Sequence, residues 1–204
     1  MKKAIIAAGA SAVLAAMPIV GVFAADGTLS QTDIVKVTVD SACSLATSGS
    51  EVTPEASTYK ATIANGGHND DIAGSTFTIT CNDTGGWQLN AIGAGTATND
   101  VTKMDASTNV DSDDIATGTT IDGSVSNWAF KIAKGGSDAS NITVTTGYDN
   151  FSAVPSASTK IAQGTSTSGN STITATYGVG ISATQSAGTY TGKVTYTLAH
   201  PASN

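Results

Sequence analysis

The sequence predicts an all-β chain folded as an antiparallel β-sandwich, and three observations carry that prediction. Apolar residues recur with a period of two along many short runs, no run shows a helical period, and clusters of Gly, Asn, Asp and Ser separate the runs. Alternation of this kind marks strands with one buried and one solvated face, which two sheets packed face to face provide. Turn signals between so many short strands point to a sandwich of Ig-like or Greek-key type.

Residues 1–24 have the three parts of an export signal and stand apart from the fold. Lys2 and Lys3 form the charged start, Ala4 to Val20 the apolar middle, and Val22-Phe23-Ala24 a small-residue cleavage site. Pro18 and the many Ala and Gly argue against a retained membrane span. No lipobox-like cysteine marks the cleavage point, and no LPxTG-type sorting signal or second apolar run closes the C-terminus, so the mature chain is expected to carry no membrane span and no covalent anchor. Residues 25–204, about the length of one domain, are expected to form a single sandwich.

Along that domain Val35, Val37 and Val39 alternate with Lys36, Thr38 and Asp40, giving the first candidate strand. Phe77, Ile79 and Cys81 alternate with Thr78 and Thr80, and Trp87, Leu89 and Ala91 with Gln88 and Asn90. The intervening "NDTGG" tolerates positive φ, so these two strands are expected to form a hairpin. Trp128, Phe130 and Ile132 make the next apolar face, followed by Ile142 and Val144, then by Tyr177, Val179 and Ile181. After the turn signal "QSAGTYTG", the run "TYTGKVTYTL" sets Tyr190, Val194, Tyr196 and Leu198 on one side. Stretches 93–123 and 164–172 are polar and weakly patterned, and read as long surface loops.

Charge narrows the partners. The formal net charge is −7, and loss of Lys2 and Lys3 with the signal leaves seven cations against sixteen acids, 7 − 16 = −9, with no arginine anywhere. Such a domain repels phosphate backbones and anionic lipid, which excludes nucleic acid and leaves hydrogen bonding and stacking as the means of holding a glycan or peptide. Cys43 and Cys81 are the two cysteines, and in an oxidising compartment an even pair is most simply one disulfide; free thiols or metal ligation are the alternatives. No CxxC spacing accompanies them, so no metal or cofactor is expected.

Chemistry-bearing clusters are sparse. "NVDSDD", residues 109–114, with Asp100 and Asp105 nearby, could hold calcium, yet it lacks the spacing of a calcium loop and reads as a solvated acidic loop. His68 and His200 have no nucleophile signature around them and read as exposed loop histidines. Glu51 and Glu55 share one polar loop and nominate no carboxylate pair for glycoside cleavage, so the chain is expected not to be an enzyme. Trp87, Trp128, Tyr190 and Tyr196 all sit in the apolar phase of their strands and read as core, whereas Tyr148 and Phe151 are the candidates for a sugar-stacking platform.

Two motifs say more together than apart. "DTGGWQLNAIG", Asp83 to Gly93, resembles the first signature of the WxL domain, in which an acidic residue and a glycine turn lead into Trp-x-Leu, here Trp87 and Leu89. "AGTYTGKVTYTLAHP", Ala187 to Pro201, resembles the second, with Tyr196 standing where that family has its other tryptophan, ahead of Leu198. The resemblance spans the mature chain. It implies a β-sandwich module of the bacterial cell surface, bound noncovalently to peptidoglycan or another surface glycan and used in adhesion or in complexes with other surface proteins. The cysteines depart from that pattern. "VDSACSL" and "STFTITC" instead resemble the disulfide frame of chaperone-usher pilins and spore-coat-U-like domains, which would make Ala25 to Val39 a strand donated to a neighbour.

Overall fold

The structure is a computed structural model that describes residues 42–47, 61–95, 97, 100–106, 114–165 and 167–200. The signal segment, the Val35–Val39 run and most of the acidic stretch 109–114 lie outside the described residues.

Eleven strands are described. They are β1 (Cys43–Thr47), β2 (His68–Cys81), β3 (Trp87–Gly93), β4 (Asp105–Ala106), β5 (Ala116–Thr117), β6 (Asn127–Gly136), β7 (Ile142–Val144), β8 (Thr159–Gly164), β9 (Thr167–Gly180), β10 (Tyr190–Thr191) and β11 (Val194–Ala199). One sheet has the order β1-β2-β9-β6-β5, the second β11-β3-β8-β7, and β10 with β4 makes a two-stranded ribbon. The large sheets face one another across a single core, as the alternation predicts. Phe77 and Ile79 from β2, Phe130 and Ile132 from β6, and Ile173 and Ala175 from β9 meet Trp87, Leu89 and Ala91 from β3, Ile161 from β8 and Ile142 from β7. Two-stranded pairings are antiparallel except β5 with β6, a parallel contact of two residue pairs.

The expected hairpin between the Phe77 and Trp87 strands is corrected by the structure. β2 pairs with β1 and β9, and β3 pairs with β11 and β8, so the two strands lie in different sheets. Gly86 adopts φ +79°, its N–H donates to Asp83 O at 3.0 Å, and Asp83 Oδ1 accepts from Gly85 N at 2.8 Å. That turn passes the chain from one sheet to the other. The physical reason is burial: Phe77, Ile79 and Cys81 can cover Trp87, Leu89 and Ala91 only by stacking on them, whereas a hairpin would set both apolar faces side by side.

Both predicted surface loops are also corrected. Within 93–123, Ala97, Thr102, Ala106 and Ile115 are buried, and Met104 bridges Ile115. This segment covers Trp128, whose indole N–H donates to Thr102 O at 2.9 Å while a Cβ on Gly192 would fall 2.8 Å from the ring. A buried tryptophan needs such a partner, and a polar, weakly patterned segment supplied the carbonyl. Within 164–172, β9 starts at Thr167 and pairs with Cys81, Ile79, Thr78, Gly135 and Gly136, with Ser171 buried. Thr is favoured in strands, and the backbone of this segment is paired on both sides, so its polarity did not mean a loop.

Tyr190 is likewise separate from the last strand: it opens β10 and pairs with Ala106, while Val194, Tyr196 and Leu198 belong to β11. β6 is buried on both faces at its start, because Phe151 and Ile121 close over Gly178, the partner of Ala129.

Candidate functional site

Trp87 opens β3 with its side chain 2% exposed. Its indole fits against Gly164, the residue paired with it on β8: a Cβ there would fall between 2.5 and 2.7 Å from Cζ2, Cε2 and Nε1. Real carbon contacts do not come so close, so glycine is required at 164 by packing. The indole N–H is buried on the core side of β3 and has no hydrogen-bond partner among the described residues, an arrangement that costs free energy.

Beside the ring lies an open depression of about 540 Å³, lined by Gly85, Trp87, Gln88, Gln163, Thr143 and His200 among others. Strand register builds it. Gln88 is paired with Gln163, and Gln163 with Thr143, so three exposed side chains form one row across β3, β8 and β7 on the outer face of the smaller sheet. A bulge at Leu89/Asn90 buries both Ile161 and Ala162 and then returns Lys160 to the outer face, where its ammonium donates to Gln163 Oε1 at 2.6 Å. That bond fixes the amide: its oxygen is engaged by Lys160, and its NH₂ is left to face other partners.

At the rim, His200 Nδ1 stands 3.4 Å from Asp83 Oδ2. The Asp83 side chain is 7% exposed, and its other oxygen holds the turn that precedes Trp87. The first and second sequence motifs therefore meet at one end of the sandwich. His200 is an exposed loop histidine, as the sequence predicts, and it stands against a buried carboxylate.

Two of the four motif residues, Leu89 and Leu198, are directly opposed, and all four belong to or pack against the core. Leu198 lies opposite Leu89 and Tyr196 opposite Ala91 in the β11–β3 ladder. Leu89 is fully buried, while Tyr196 and Leu198 are half-buried. Tyr196 packs on Phe77 with ring centroids 4.7 Å apart and meets Phe130 edge-on at 6.1 Å, and its hydroxyl is 3.0 Å from that of Tyr177. Cys43 and Cys81 form the disulfide, directly opposed on β1 and β2.

The proposed stacking platform is not free to stack. Tyr148 lies on Phe130 at 5.4 Å, and its burial pushes the phenol above its ordinary value. Phe151 is covered by the Lys131 ammonium, 4.5 Å above its ring. His68 is exposed at the start of β2. Among the described residues no group of three or more His, Cys, Asp or Glu is placed to hold a metal ion, and Asp114 accepts from Ala106 N at 3.0 Å. No described helix is long and apolar enough to cross a membrane.

The residues that sequence reasoning missed are Gln88, Gln163, Thr143 and His200. Each is a polar residue in the solvated phase of a strand or just past one, and nothing in a linear reading sets such residues apart from an ordinary wet face; only register gathers them. No protein-family model matches the chain, and no curated protein matches it.

Proposed function

We propose that the chain is an exported, non-catalytic module of the bacterial cell surface that associates noncovalently with peptidoglycan or another wall glycan and acts in adhesion or surface-complex assembly. One observation carries the reading: the two segments that resemble the WxL signatures pair strand to strand, Leu198 opposite Leu89, and residues of both line the same depression. A site made where two distant segments converge is what recognition by contact requires, and loops and strand ends at one rim of a rigid sandwich are where such sites arise. The acidic charge favours an uncharged ligand surface. The test is sedimentation of the oxidised, signal-free protein with purified peptidoglycan. Retention above an albumin control supports the reading, and recovery wholly in the supernatant sinks it.

A second reading, a pilin-like subunit that polymerises by strand exchange, is favoured by a different observation. Among the described strands β11 is the edge of its sheet, and its core-facing Val194, Tyr196 and Leu198 are half-buried where those of β3 are buried. The donor segment Ala25 to Val39 lies outside the described residues. Ladders resistant to SDS would support this reading, and a monomer on size exclusion would oppose it.

A further inference from the structure

We propose that Asp83 and His200 form a pH-sensitive latch. It holds the C-terminal end of β11 to the turn ahead of β3 while the imidazole carries its proton, and slackens when the imidazole is neutral.

The latch sits where the fold needs a tie. β11 ends at Ala199, which is paired with Gln88, and His200 follows it directly. Asp83 stands in the turn that carries the chain from β2 to β3. β11 is an edge among the described strands, its Thr195 and Thr197 are exposed, and its core-facing side chains are half-buried, so packing alone secures it less well than β3. A contact at its end fixes the strand where the ladder stops.

Asp83 supplies the reason for a charge at that point. The residue is 5% exposed, and its Oδ1 accepts from Gly85 N at 2.8 Å. Its Oδ2 is buried with no hydrogen-bond partner among the described residues, which is costly for a carboxylate oxygen. His200 Nδ1 lies 3.4 Å from that oxygen, and no lysine among the described residues pairs with it. A neutral imidazole presents at Nδ1 either a lone pair, which repels the oxygen, or an uncharged donor; the protonated ring presents a donor and a positive charge together. Histidine is the side chain whose charge ordinarily changes between about pH 5 and 8, so the strength of this contact follows pH in that window.

Little else around the pair changes charge there. β3 and β7 contain no acidic, basic or phenolic residue. The one charged residue of β8, Lys160, is engaged by Gln163, and Tyr196 of β11 directs its hydroxyl to Tyr177. Cys81, ahead of the turn, is locked in the disulfide. The sign follows: stabilisation by the latch is present while the imidazole is protonated and is lost as pH rises through the histidine range.

The test uses the oxidised, signal-free protein, His200→Gln, Asp83→Asn and the double variant. Asparagine keeps a side-chain oxygen for Gly85 N, and position 200 is exposed, so the single variants are expected to fold. At about pH 5.5 wild type should melt about 1–4 °C above His200→Gln, and at about pH 8 the gap should close. The two substitutions should be non-additive at the lower pH and additive at the higher. As a local readout, the amide NMR signals of Gly85 and Gly86, remote from His200 in sequence, should move with the His200 ring signals across that range in wild type and stand still in His200→Gln. A gap that is the same at both pH values, or additivity throughout, would make the contact merely structural and overturn the latch. Glycine amide signals indifferent to His200 in wild type would overturn it as well.

Discussion

The hydroxyls of Tyr196 and Tyr177 stand 3.0 Å apart across the two faces of the sandwich, tying the last strand to the middle of the opposite sheet. Two aromatic neighbours bound the space that the Tyr196 ring fills. Phe77 lies 4.7 Å from it, centroid to centroid, and Phe130 closes its edge. Tyr196→Trp would drop the hydroxyl and force a larger ring into that space, which overpacking makes unfavourable by about 1–3 kcal/mol. Tyr196→Phe keeps the packing and loses one hydrogen bond, about 0.5–1.5 kcal/mol. Urea unfolding of both variants should therefore rank wild type above Phe above Trp; a tryptophan variant as stable as wild type would refute the packing argument.

Gly164 and Gly188 give a matched contrast. A methyl group at 164 would be driven into the Trp87 indole, whereas one at 188 meets nothing closer than 3.8 Å. Gly164→Ala is expected to cost about 1–3 kcal/mol through displaced core packing. Gly188→Ala should lie within about 0.5 kcal/mol of wild type, as for surface changes generally. Thermal melting followed by tryptophan fluorescence reads both, and the Gly164 variant should also alter the emission of Trp87 while the Gly188 variant leaves it alone.

Much of this architecture is legible in the sequence, and the illegible part has a common cause. The apolar phase of Trp87, Leu89 and Ala91 follows from alternation alone, because a side chain on a strand has two faces to choose from and one of them is dry. The same rule finds Phe77, Ile79, Phe130 and Ile132. Pairing is not local in this way: alternation says that β2 and β3 each have a core face but not whether they lie beside or across from each other, so the "NDTGG" turn read as a hairpin when it joins two sheets. Burial by a distant partner is invisible for the same reason. Thr102 and Ser171 are buried because Trp128 and the long β2–β9 ladder need them there, and their polarity gives no hint of it. The row Gln88–Gln163–Thr143 belongs to this class too, being assembled by register from three separate runs.

The disulfide joins the edge strand β1 to β2 and closes a loop with a sequence separation of 38 residues. β1 is five residues long, and its Ser44 and Ala46 are exposed, so burial holds it weakly. Cross-linking a loop of that length restricts the unfolded chain by about 4 kcal/mol in the entropy model. Guanidinium unfolding with and without reductant should show a loss of roughly that size, and Cys43→Ser with Cys81→Ser should reproduce it. A reduced protein that unfolds at the same midpoint would show that the bond contributes little and that β1 is held by its ladder alone.

Acid stability rests in part on two short turns. Asp100 lies below its ordinary carboxylate value chiefly through a side-chain hydrogen bond from Thr102, reinforced by the Thr102 backbone N–H; Asp122 is lowered in the same manner by Ser124. Both carboxylates are thus more acidic folded than unfolded. Their contribution is complete above the unfolded value of about 3.9 and is lost as pH falls through the lower folded values. Stability should accordingly be flat from pH 7 to about pH 5 with respect to these groups, then decline toward pH 2 as the unfolded state takes up protons first. The Asp100 turn bears on the core, because Thr102 O is the acceptor for the Trp128 indole. Asp100→Asn removes the titrating group and should reduce the drop in melting temperature between pH 5 and pH 3 relative to wild type. An unchanged drop would place the acid sensitivity elsewhere in the chain.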